Sequence, residues 1–268
     1  MHITSQNLDE TIQTNRKIKK EVRDRIQFME RYLKKIRIHS PEKQALQILK
    51  EHNLIQIPIP DRDWGGAIYE LPNGHKIPVI NTAQPRLYQY FIYWHEIYHL
   101  TEESATDITH NISTELDLAD RKADYFASQM LISNDLYDYY HQLKYEDFID
   151  RIASCMDTFK APFKAILIEL YELALEFSNL SLQNEIKKHF DLQLSPDAWE
   201  NIFKGLSLDE SLVKPTYIVD FGTLKGLIQE KSERHPDVEL YNENKEFVLN
   251  LEAKFSRIKE AWENGQLS

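Results

Sequence analysis

The sequence predicts an α+β fold: mostly α-helical, with one small antiparallel sheet and an α-helical C-terminal extension. Three observations lead there. Apolar residues recur at helical spacing over long stretches, and glycine is scarce, 7 in 268 residues. Strand-like alternation is confined to residues 54–81, where turn signals also gather. From about residue 135 onward the pattern is helical throughout. Apolar residues make up 42% of the chain and charged residues 28%, enough for a packed core. The net charge of −11 weighs against a general nucleic-acid binder. The single cysteine, Cys155, excludes an internal disulfide and a cysteine zinc cluster, and reads as a small buried apolar residue. No apolar run approaches the roughly 18–20 residues that span a bilayer. Residues 1–10 lack an apolar signal-peptide region. A cytoplasmic protein is expected.

Taken in order, residues 1–14 are polar and are expected to lie outside regular structure. Residues 15–37 carry Ile18, Val22, Ile26, Met29, Leu33 and Ile36, an amphipathic helical stripe. Residues 1–40 hold 10 Lys/Arg against 5 Asp/Glu, so the other 228 carry −16. This basic face can be an arm for an acidic partner or a solvated surface. A charge run alone favours the second. Ser40-Pro41-Glu42 starts a helix running to about His52, with Ser as cap and Pro at the first helical position. Strands are predicted at 54–59, limited by Pro58 and Pro60, at 67–71 and at 76–81. Gly65-Gly66 is read as a turn and Asn73-Gly74 as a hairpin.

The helical segment 86–103 contains His95-Glu96-Ile97-Tyr98-His99. Residues four apart share a helix face, so His95 and His99 can hold one zinc ion through their imidazole nitrogens. Glu96 lies beside that face, where it can take a proton from a metal-bound water. Residues 101–112 read as a polar loop. Ser113 or Thr114 can cap the next helix, 115–132, whose stripe is Leu116, Ala119, Ala123, Phe126, Ala127 and Met130. Small alanines let it approach the histidine helix closely. A third ligand must come from this second element. Asp120, 21 residues after His99, is the best candidate. Asp124, one turn on, can accept a hydrogen bond from the second nitrogen of His95. Spacing alone leaves the two roles interchangeable. The competing reading is two histidines on a half-buried helix and a solvated acid. It leaves buried imidazoles and acids in need of partners.

The tail reads as helices at 135–143, 145–156 and 161–176, then a helical module marked by Trp199, Phe203, Tyr217, Phe221, Leu227 and Phe247. The last helix, 242–263, places Phe247, Leu251, Phe255, Ile258 and Trp262 on one side.

Ile80-Asn81, the run Tyr90-Phe91-Ile92-Tyr93-Trp94-His95-Glu96-Ile97-Tyr98-His99-Leu100, and Asp120-Arg121-Lys122-Ala123-Asp124-Tyr125-Phe126-Ala127 continuing to Ile132-Ser133 together resemble the ImmA/IrrE family of metallopeptidases. That family shows an I-N strand end, H-E-x-x-H-L, and E-x-x-A-[ND]-x-F-A-x-x-L-L-M-P. The resemblance covers roughly residues 40–180. It implies a zincin-like core with a gluzincin-like site holding one zinc: His95, His99 and Asp120 as ligands, Glu96 as base, and Asp124 orienting His95. The departures are Tyr98 for a common Gly, Asp120 for the third-ligand Glu, and Ile132-Ser133 for Met-Pro. The resemblance implies a helix-turn-helix repressor or antitoxin-like regulator as substrate, often on mobile elements or in stress responses. It also places a helix-turn-helix-like segment after the core. Here residues 145–178 carry 3 Lys/Arg against 7 Asp/Glu, so direct DNA binding is disfavoured. The organisation expected is a basic amphipathic helix (1–39), a metallopeptidase core (40–144), the helix-turn-helix-like segment (145–178) and a helical extension (179–268). The alternative is a non-catalytic binding module of the same fold that sequesters a regulator or antitoxin.

Overall fold

Three of the four strands form where alternation places them, and the sheet is mixed rather than purely antiparallel. In this computed structural model, which describes residues 3–35, 40–61, 63–101, 108–111 and 118–264, the strands are β1 (Ile55–Ile57), β2 (Trp64–Glu70), β3 (Lys76–Asn81) and β4 (Ile108–Asn111). Their order is β1-β3-β2-β4. β2 and β3 form the Asn73-Gly74 hairpin, with Tyr69 opposite Ile77 and Gly74 at φ +78°. β1 runs parallel to β3, Ile55 facing Val79. The prolines explain the difference. Pro58 and Pro60 carry no N–H for a ladder, so the chain leaves the sheet after Ile57 and returns as β2. β1 then pairs with β3 instead of with its sequence neighbour.

β4 falls inside the stretch expected to be a loop; it pairs antiparallel with β2, His110 opposite Gly66. β3 is therefore internal to the sheet. The outer edge of β1 is covered by residue 220: Gln56 N–H donates to Asp220 O at 2.7 Å and Asp220 N–H to Gln56 O at 2.8 Å. Asn81, fully buried, ties the strand end to the preceding loop. Its Oδ1 accepts from Ile59 N at 2.9 Å and Ala83 N at 3.0 Å, and its Nδ2 donates to Trp64 O at 2.8 Å.

The helices are α1 (Leu8–Leu33), α2 (Pro41–Glu51), α3 (Arg86–Leu100), α4 (Leu118–Leu131), α5 (Leu136–Gln142), α6 (Phe148–Phe159), α7 (Phe163–Glu176), α8 (Leu180–His189), α9 (Pro196–Gly205), α10 (Leu224–Arg234) and α11 (Glu239–Glu263). α1 begins seven residues earlier than residue 15, and the first residues are not loose. Ile3, Leu8 and Ile12 are buried. Ser5 N–H and Oγ–H donate to Asp191, and Asp9 receives Tyr171 Oη–H at 2.5 Å and Lys187 Nζ at 2.7 Å. The stripe runs on through Asn15, whose polarity hides its continuity; Asn15 is buried against Arg121. The apolar face of α1 lies on α4 and α7, leaving its basic face outward.

Residues 36–37 and 102–103, Ser113, Thr114, Glu115 and Leu116 lie outside the described residues. Of the remaining α4 stripe, Ala123, Phe126 and Ala127 are buried, while Ala119 and Met130 are half-buried.

α6 is capped by Asp147, whose Oδ1 accepts from Ile149 N, and ends at Lys160 in the left-handed region (φ 52°). α7 is buried along most of its length, so α6 and α7 pack as an internal pair. Cys155 is fully buried on α6, and burial pushes its thiol up to about 12. One hydrophobic cluster runs from Ile3 to Val213. α10 and α11 pack mainly on each other and reach the body through Phe221–Phe255 and Tyr217–Trp262 ring contacts. Two helices with a single mutual face cannot cover every apolar residue. Phe247 and Leu227 are exposed, and Val248 is the buried residue of α11 among those described.

Candidate metal centre

α3 is buried on nearly all sides because α2, α4, β2 and β3 surround it. Several of its polar groups are placed with partners. Gln89 donates to Gln84 O at 2.7 Å and accepts from Thr216 Oγ1 at 3.0 Å. Lys76 Nζ reaches His99 O at 3.3 Å and Arg25 Nη1 reaches Tyr98 O at 3.2 Å. Both cations lie where the helix C-terminus carries partial negative charge. α4 is held against α3 by Phe126, which packs edge-on to Trp94 with ring centres 6.1 Å apart and on Tyr98 at 5.7 Å. Ala123 and Ala127 remove bulk beside it. Tyr98 is thus a packing residue: it also stacks under the Arg25 guanidinium at 4.3 Å.

This packing brings three predicted site residues to one place. His95 and His99 are buried one turn apart, with Nε2 atoms 3.3 Å from each other. Asp120 Oδ1 lies 3.9 Å from His95 Nε2 and 3.8 Å from His99 Nε2. Tetrahedral zinc with metal–nitrogen bonds of roughly 2.0–2.1 Å needs ligand atoms about 3.4 Å apart. The three atoms, two imidazole nitrogens and one carboxylate oxygen, approach that triangle and can hold a metal ion. Asp124 stands elsewhere. Its Oδ1 is 2.9 Å from His95 Nδ1, on the far side of the ring, where it receives the Nδ1 proton and leaves Nε2 facing Asp120. The spacing that left Asp120 and Asp124 interchangeable is resolved by which nitrogen each faces.

Glu96 is fully buried and turned to the sheet. A Cβ on Gly66 would lie 2.9 Å from Glu96 Oε1, 2.9 Å from Ile92 Cγ2 and 3.0 Å from Val79 O. Gly65-Gly66 is therefore not a turn. Both residues belong to β2, at a register shift between Trp64 and Gly66, and the missing side chain admits Glu96. Sequence reasoning passed over Gly66, although a glycine inside a strand pattern is a signal of close approach. It also passed over Arg121, buried against Asn15 of α1.

The electrostatics favour a cation. Burial lowers the pKa of His95, but the Asp124 hydrogen bond and the charges of Asp124, Glu96 and Asp120 outweigh it and raise the pKa to about 9. Three ligand atoms in a site this favourable to positive charge can hold a cation. No protein-family model, curated protein or solved structure matches the chain. None of the described helices is long and apolar enough to cross a membrane.

Proposed function

We propose that the chain is a zinc-dependent endopeptidase of the kind implied by its resemblance to the ImmA/IrrE family. The observation that carries the reading is the set of His95, His99 and Asp120 ligand atoms beside a fully buried Glu96. When bound, zinc supplies Lewis acidity toward a peptide carbonyl and a water of lowered pKa. Glu96 takes the proton of the attacking water and delivers it to the leaving amine. Asp124 fixes His95 in the tautomer that presents Nε2. Asp120 reaches the cluster despite being one methylene shorter than Glu, because the alanines of α4 let the two helices close up.

An extended substrate has a place to pair. β4 has β2 as its one strand partner among the described residues, and His110 is paired with Gly66, the residue that abuts Glu96. Strand addition at β4 would set a peptide beside the cluster. The substrate class, a helix-turn-helix repressor or antitoxin-like regulator in the cytoplasm, rests on the resemblance. The deciding experiment co-expresses a helix-turn-helix repressor or antitoxin-like regulator with wild type and with Glu96→Gln. Cleavage lost in Glu96→Gln, with metal retained, supports the peptidase. A regulator held intact and equally tightly by both proteins replaces it with the sequestering module. Absence of zinc from the wild type after zinc supply and desalting sinks the metal reading altogether.

A further inference from the structure

Beside His95, but not including any ligand atom, lies a cavity of about 190 Å³ between the N-terminal segment, α1, α3, α4 and α7. Most of its wall is apolar: Ile3, Tyr88, Phe91, Tyr125, Ala165 and Ile168. One charge breaks that wall in an unusual way. Arg121 is buried, and its Nε and Nη2 both donate to the same atom, Asn15 Oδ1, at 3.0 and 2.6 Å. Nη1 makes no hydrogen bond to the described residues; the carboxylates of Asp124, Glu172 and Glu169 act on the guanidinium through space without closing to ion-pair distance.

The other charged groups of the wall are already engaged. Asp124 receives His95 Nδ1–H at 2.9 Å. Glu169 accepts from Gln129 Nε2 at 3.1 and 3.0 Å. Lys164 Nζ donates to Ile3 O at 3.2 Å and sits over the Phe190 ring. A buried guanidinium with an unused edge on an apolar chamber is a seat for a planar anion, since carboxylates match its fork. Size sets the rest of the ligand. An apolar cavity of about 150 Å³ holds benzene, so this one takes a ring or a branched chain plus one carboxylate. No sheet residue lines it, so a peptide paired with a strand does not pass through.

We infer that this cavity is a binding site for a small apolar monocarboxylate anchored on Arg121. The inference stands on the cavity and Arg121, independently of the peptidase reading, and is tested on the full chain both metal-free and zinc-loaded. The probes are benzoate and 3-methylbutanoate, with benzamide and 3-methylbutanamide as neutral counterparts of the same shape. Calorimetry should show an acid binding at least about tenfold more tightly than its amide. Arg121→Met should abolish that preference, and Arg121→Lys should retain part of it. Because Arg121 also joins α4 to α1, Arg121→Met can fail to fold. Ala165→Leu then decides, filling the chamber while leaving the guanidinium, and should remove binding of the acids. Acids and amides binding alike, binding undisturbed by Ala165→Leu, or no binding of either acid at millimolar concentration would each overturn the assignment.

Discussion

Asp124 and Asp120 are the same residue type on the same helix face, yet they meet opposite sides of one imidazole ring. Asp124→Asn keeps the shape and removes the charge behind His95 Nδ1. Metal affinity should fall about 10–100-fold, measured by competition with a chromophoric chelator, while Asp120→Ala should lose the metal. On the peptidase reading proposed above, Glu96→Gln should keep the metal and lower cleavage by about 10²–10⁴-fold, measured in single-turnover assays on a regulator that the wild type cleaves. The pH dependence follows from His95, whose pKa of about 9 in the folded chain lies above its ordinary value. A raised histidine pKa stabilises the protonated fold below about pH 6.5. That contribution fades as pH rises through about 9. The melting temperature of the metal-free protein should therefore fall between those values, while its zinc affinity rises, because proton and metal compete for Nε2. The H-E-x-x-H spacing made the two histidines legible in the sequence. It could not separate the aspartates, since a four-residue interval fixes a face but not a distance or a ring nitrogen. Arg121 was hidden for a related reason: a basic residue on a helix reads as solvated unless the partner, here Asn15 of α1, is known.

Among the elements, those defined by local chemistry were the easiest to read. Pro41 and the Asn73-Gly74 turn fixed α2, the hairpin turn and β3 nearly to the residue, while β2 begins three residues before the expected Ala67. β4 was not readable, because its pairing with β2 depends on a partner forty residues earlier in the chain. α1 was half readable: Asn15 interrupts its stripe chemically but not spatially. Two predictions belong here. Gly66→Ala places a methyl group 3.0 Å from Val79 O and 2.9 Å from Glu96 Oε1. It should destabilise the fold by about 1–3 kcal/mol, read from urea unfolding. Leu8→Ala, at a fully buried position expected to be disordered from sequence alone, should cost about 2–5 kcal/mol in the same assay. A surface residue would cost almost nothing.

Across the whole molecule, the core that surrounds the histidine helix draws on residues far outside the segment that carries the motif. The helical pattern of the tail was legible, but not its docking, since α10 and α11 bury little against the body. Removing residues 224–268 should leave a cooperatively folding chain that still binds one metal ion, checked by thermal melting and metal analysis. Removing residues 215–268 should not, because Thr216 and Ile218 bond Gln89 and Thr82, and Asp220 pairs with β1. That last pairing also has a consequence in time. While the chain is being synthesised, β1 emerges long before residue 220. At about 5–20 residues per second the wait is roughly ten to thirty seconds. For that interval an unpaired strand edge faces solvent next to neighbouring nascent copies, and two such edges can join each other. Crowded translation, more than heat, is the condition under which this protein should aggregate, and slowing the ribosome between residues 57 and 220 should worsen its yield.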